Sequence, residues 1–231
     1  MQVLDTRALW PTAASPLATC AGLLTALAGP PLLAFVSSSL FERPPLGIQV
    51  VFQFALCAMA AIVLLIVRRG ERLPLASIGV SRPTWVSVAS ALGLIAVLLY
   101  GLPLLTTPLM ATLNLGDFQA GLDEIARQPH WWRTCVALSS GLIEETLYRG
   151  YAVERLATIT GRLWLGGLIA AVAFGAAHVP FWGLGPAVAA NLPFGAIMVG
   201  FYVWRRDLLA NAATHTVVLL IGMWSVPGVG P

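Results

Sequence analysis

Charge is almost absent from long reaches of this 231-residue chain. Between Arg7 and Glu42, between Arg43 and Arg68, and between Arg82 and Asp117 there is no Asp, Glu, Lys or Arg. The same holds from Leu163 to Trp204 and from Leu208 to the C-terminus. A water-soluble domain cannot hide so much uninterrupted apolar sequence, because 58% hydrophobic against 10% charged residues exceeds what one core of this size encloses. The solvent for these stretches is lipid, in which every backbone N–H and C=O must be satisfied within the segment, so each stretch is expected to be helical.

A bilayer core takes about 20 residues of helix. The first two charge-free stretches hold one span each, and the third holds one that Pro103 and Pro108 are expected to end. The stretch from Leu163 to Trp204 is too long for one span and is expected to break at Val179-Pro180-Phe181-Trp182-Gly183-Leu184-Gly185-Pro186. A helix from about Trp131 to Arg155 and a last one carrying His215 complete the count. The expected fold is all-α, a polytopic bundle of about seven transmembrane helices. It forms a single membrane domain over 1–231, with 131–225 as the core that carries the chemistry. Asp117 to His130 is expected to lie as a short helix in the interface, anchored by Trp131 and Trp132.

All thirteen basic residues are Arg, and they are dispersed rather than gathered on one face, so no nucleic-acid partner is indicated. They report topology. Arg68, Arg69, Arg72 and Arg82 share one loop, Arg155 and Arg162 a second, Arg205 and Arg206 a third, and the positive-inside rule turns these loops toward the cytoplasm. That alternation predicts a multi-pass protein of the cell membrane with its N-terminus cytoplasmic and the lipid bilayer as its surroundings. Cys20, Cys57 and Cys135 are scattered through apolar runs, which suggests small core residues rather than disulfides or a thiolate metal site.

The fourth span breaks the apolar pattern with Glu144-Glu145-Thr146-Leu147-Tyr148-Arg149. Carboxylates inside a membrane are unfavourable unless paired, hydrated or neutralised. Glu145 and Arg149 stand one turn apart on one helix face and can pair, whereas Glu144 points about 100° away and has no local partner. One carboxylate reads as structural and the other as working. Two intramembrane histidines, His178 in Phe174-Gly175-Ala176-Ala177-His178 and His215 in Asn211-Ala212-Ala213-Thr214-His215, favour chemistry over simple helix–helix glue. His130 adjoins the interfacial tryptophans and is assigned a headgroup role. Counting about 1.5 Å per residue from Arg155, Arg206 and Arg162 places Glu144 roughly 16 Å, His215 roughly 13 Å and His178 roughly 24 Å above the charged end. By that count His178 stands about a turn and a half out of level.

The series Glu144-Glu145-xxx-Arg149, Phe174-xxx-His178 and then His215 on a later span resembles the CPBP intramembrane proteases. That family includes the CAAX-prenyl endopeptidases and bacteriocin-processing or immunity (Abi-type) proteins. The resemblance covers roughly Trp131 to Met223 and implies an intramembrane endopeptidase acting on a membrane-associated peptide or protein. Its implied site is Glu144, Glu145, Arg149, His178 and His215. Family members commonly carry Asn or Asp four residues after the last His, where this chain has Leu219; Asn211, one turn before His215, is expected to supply the missing donor.

The resulting expectation is that Glu144 takes a proton from a water that His178 helps to hold. His215 polarises the scissile carbonyl, and Glu145 with Arg149 fixes the helix. The resemblance also admits a zinc version in which Glu144, His178 and His215 ligate the ion. Two other classes compete with catalysis: a noncatalytic membrane scaffold or immunity-type protein of the same fold, favoured by Leu219, and a proton-coupled transporter, disfavoured by the absence of repeated halves.

Overall fold

The computed structural model describes residues 15–228, so Arg7, at the start of the first charge-free stretch, lies outside the described residues. Among the described residues the chain is helical, with no strand. Eight helices follow in order. They are α1 (Pro16–Leu40), α2 (Leu46–Gly70), α3 (Trp85–Thr112), the short α4 (Gln119–Arg127), α5 (130–160), α6 (Leu163–Trp182), α7 (Leu184–Arg205) and α8 (Leu208–Ser225). All but α4 and α5 are long and apolar enough to cross a membrane by length and composition. Helix α5 is longer still, but Arg133, Glu144, Glu145, Arg149, Glu154 and Arg155 lower its apolarity. The protein is a multi-pass helical membrane bundle.

Helix α5 stands at the centre. It packs against α1, α2, α6, α7 and α8, and every residue from Glu145 to Val153 is buried. Over Glu145–Val153 it winds as a π-helix rather than the α-helix its spacing suggests. Large outward residues such as Leu24, Phe54, Leu104 and Val172 are exposed on the lipid-facing helices. Cys20 and Cys135 are exposed as well, and only Cys57 is partly covered. An apolar run does not tell which way a cysteine faces when the solvent is itself apolar, so their assignment to the core is corrected.

One proline assignment is also corrected: helix α3 runs through Pro103 and Pro108. The break expected within 179–186 is present, since α6 runs through Pro180 and ends at Gly183, whose φ of 85° only glycine adopts easily. Proline removes one N–H and clashes with the carbonyl four residues before it. Just ahead of Pro103 lies the π segment Val97–Gly101, and just ahead of Pro193 lies Ala187–Asn191, so a wider turn accommodates the ring in each case. The short helix expected between Asp117 and His130 is found as α4, followed by an exposed Trp131 and a buried Trp132.

The Arg-bearing segments meet at one end of the bundle. Glu71, at the end of α2, accepts from Arg155 at 2.8 Å, from Tyr151 at 2.8 Å and from Thr19 of α1 at 2.9 Å. Arg206 pairs with Glu154 at 2.7 Å, and the Leu208 amide donates to the Gly79 carbonyl. Arg155 is therefore 3% exposed and does not mark the water boundary; α5 continues to Thr160 and stops at Gly161, where φ is 67°. Recounting from Thr160 raises Glu144 to about 24 Å, the height of His178 above Arg162. His215 Nε2 stands 3.9 Å from Glu144 Oε2, so those two are level whatever the count from Arg206, which is itself 34% exposed. The discrepancy in depth disappears because the boundary read from Arg155 lies inside the protein.

Candidate active site

Glu145, on the first π turn, is fully buried and fully engaged. Its Oε1 accepts from Arg149 Nη1 at 3.0 Å and from His215 Nδ1 at 2.8 Å, and its Oε2 accepts from Asn211 Nδ2 at 2.8 Å. Arg149 Nη2 also donates to the Gly195 carbonyl of α7 at 3.2 Å, and its guanidinium lies over the Phe174 ring at 4.3 Å. A buried carboxylate is stable here because one cation and two further donors replace its water. The expected Glu145–Arg149 pair is present, and α8 supplies the other two donors, one of them the Asn211 amide. That amide also donates to the Met198 carbonyl at 3.0 Å, so Asn211 does not present a free donor to a substrate, and its expected role is corrected.

Glu144 differs in every respect. It is partly exposed, its Oε2 has no hydrogen-bond partner, and that atom stands 3.9 Å from His215 Nε2. His215 thus bridges the two carboxylates, one on each ring nitrogen. Since Glu145 accepts from Nδ1, that nitrogen carries a proton, and Nε2 is turned toward Glu144. His178 is fixed the same way, its Nδ1 donating to the Phe174 carbonyl at 2.8 Å and leaving Nε2 free.

Phe174 organises the cluster. Its ring lies 4.4 Å from the His178 ring, 6.1 Å from that of His215 and 5.9 Å from Phe194, which itself packs on His215 at 4.9 Å. The α5 and α8 backbones approach closely where Gly141 faces Thr216, and Leu192 of α7 packs over Gly175. The structure therefore brings Glu144, Glu145, Arg149 and His215 into one connected group, with His178 joined to it through Phe174. Leu219, one turn beyond His215, is half-buried and adds no polar group. The motif spacing named Phe174 without a role for it, and nothing in the sequence reading singled out Tyr148, Gly141 or Phe194. The available signals were spacing alone: Tyr148 one turn after Glu144, Gly141 one turn before it.

Residues 126–221 match the family model described as Type II CAAX prenyl endopeptidase Rce1-like. That segment is similar to the Rce1-like family. It contains every residue of the cluster, from Glu144 to His215, and the similarity supports a CAAX-type intramembrane protease. No curated protein and no solved structure matches the chain.

The donor chemistry is of the kind zinc takes: two imidazoles, each with its other nitrogen held by an oxygen, and a carboxylate. The placement is not. Among the described residues no group of three or more His, Cys, Asp or Glu is gathered closely enough to hold a metal ion. No catalytic step is therefore routed through a metal.

Proposed function

We propose that this protein is an intramembrane endopeptidase that hydrolyses a peptide bond of a membrane-associated peptide or protein, using water activated by Glu144. The observation that carries this reading is the unpartnered Glu144 Oε2 facing His215 Nε2 across 3.9 Å. Two acceptors at that spacing are close enough for one water to bridge with hydrogen bonds of about 2.8 Å. Glu144 accepts the proton as the oxygen attacks, and the amine leaves with it. Glu145 holds the His215 ring in one tautomer and orientation, and Arg149 balances the Glu145 charge. His215, the imidazole nearest Glu144, takes the water-holding role, and His178 flanks the substrate side with its free Nε2.

The test is hydrolysis by protein reconstituted in vesicles, offered lipid-tethered fluorogenic peptides that include prenylated CAAX sequences and unprenylated ones. Glu144→Gln keeps the side-chain size and removes the base, so turnover should fall on the order of 10²–10⁴-fold with helix content unchanged. Turnover in that variant at a tenth of the wild-type rate would take Glu144 out of the mechanism. Wild-type protein inert toward all peptides would favour the noncatalytic scaffold, and solute uptake coupled to protons would favour the transporter. A zinc-assisted form is a second reading, supported by the two imidazoles whose Nδ1 protons are both held and whose Nε2 atoms are both free.

A further inference from the structure

Peptide hydrolysis needs a hydrogen-bond donor where the carbonyl oxygen becomes an oxyanion. The obvious donors of the site are already engaged. Both Asn211 amide hydrogens go to Glu145 and Met198, both terminal nitrogens of Arg149 go to Glu145 and Gly195, and both imidazole Nδ1 protons go to fixed oxygens. Among the described residues the buried side-chain donors left without a partner are the Tyr148 hydroxyl and the Nε atoms of Arg149 and Arg205. Arg205 ends α7, far from the site, and Arg149 Nε belongs to a guanidinium held over the Phe174 ring.

Tyr148 stands one turn after Glu144 on the same face of α5. It is 1% exposed, meets the Phe174 ring edge-on at 5.6 Å, and has the Arg149 guanidinium 6.0 Å from its ring centre. Burying a hydroxyl with no partner is unfavourable, and phenylalanine would fill the same space without that penalty. We propose that the Tyr148 hydroxyl is a further catalytic group, the donor that stabilises the oxyanion of the tetrahedral intermediate. The step rests on the Glu144 reading above. The water oxygen bonds to the carbonyl carbon, the carbonyl π electrons move onto its oxygen, and Glu144 takes the water proton. Tyr148 donates a hydrogen bond to that oxyanion and keeps its proton. When the C–N bond breaks, the carbonyl re-forms and the proton on Glu144 passes to the departing amine.

The experiment is Tyr148→Phe, read by two measurements. In the vesicle assay kcat should fall about 10²–10³-fold, as for removal of one oxyanion donor, with KM and thermal midpoint at or above wild type. In a binding assay, a prenylated CAAX peptide carrying a phosphonate in place of its scissile amide should bind Tyr148→Phe at least tenfold more weakly than wild type. The ordinary peptide should bind both alike. Full turnover in Tyr148→Phe beside an inert Glu144→Gln overturns the Tyr148 role and leaves the protease reading standing. If wild type cleaves nothing, the phosphonate decides alone: preference for the tyrosine form supports the donor while the protease reading falls, and equal binding overturns the donor too.

Discussion

A methyl group at Gly141 tests whether turnover depends on the spacing between α5 and α8. A Cβ built there would press on the Thr216 hydroxyl and stand 2.7 Å from the Thr216 nitrogen and 2.8 Å from its Cα. Rotation of the threonine side chain relieves the first contact but not the other two, which are backbone. Non-bonded contacts settle near about 3.5 Å, so the two helices must part by roughly 0.7 Å at this level. Gly141 lies one turn from Glu144 and Thr216 adjoins His215, so most of that displacement reaches the 2.8 Å bond between Glu145 and His215. Stretched to about 3.5 Å, that bond no longer fixes the imidazole. A misplacement near 1 Å costs about 10²-fold in rate, so Gly141→Ala should lower kcat by that order in the vesicle assay. The thermal penalty in detergent should be the roughly 1–3 kcal/mol of an overpacked core. Gly222→Ala, on α8 with no atom within 4 Å of its added carbon, is the control and should stay within about twofold of wild type. Wild-type turnover in Gly141→Ala would show that the α5–α8 distance does not govern the chemistry.

Glu145→Gln and Arg149→Leu should each destabilise the protein by about 3–5 kcal/mol, since each strands a buried charge, and the double variant should lose less than the sum. Strict additivity in thermal denaturation would mean that the pair at 3.0 Å contributes no coupling. Asn211→Ala removes the donor on Glu145 Oε2 and should cost about 1.5–3 kcal/mol of stability; Leu219→Asn should not rescue its turnover, because the lost bond points at Glu145. Recovery of rate in that double variant would return Asn211 to the oxyanion role. Chelator-treated protein should retain full turnover under the metal-free reading. Loss of activity, restored by one equivalent of zinc and absent from His178→Ala and His215→Ala, would transfer water activation to the ion.

The helical class, the charged central helix and the contrast between a partnered Glu145 and an unpartnered Glu144 were legible in the sequence, because intramembrane charge is rare enough that each instance demands a partner or a task. Glu145 and Arg149 declared their pairing by spacing alone. What stayed hidden was set by distant contacts. Arg155 reads as a boundary marker, yet Glu71, just past the end of another helix, draws it inside. That misreading lowered the counted height of Glu144 and left His178 out of level. Asn211 shares a stripe with His215 and was read as facing the substrate, whereas its amide turns to Glu145. Tyr148 gave no signal, since an aromatic ring in a span is ordinary packing until its hydroxyl is seen to lack a partner.

The central helix also dictates an order of construction. The Glu71 that receives Arg155 is synthesised before it, so that end of α5 meets a waiting partner as it enters the membrane. Glu145 has no such advantage: its donors Asn211 and His215 emerge 66 and 70 residues later. In the interval the only neutralising group is Arg149, one turn away on the same helix. That arginine lets the segment enter lipid as a locally neutral unit before α8 exists. A chain interrupted before residue 208 should accordingly insert its earlier helices while leaving Glu145 open to water, a state that a protease-accessibility or cysteine-labelling scan of ribosome-bound chains would detect. Docking of α8 then completes the Glu145 cluster and buries its centre.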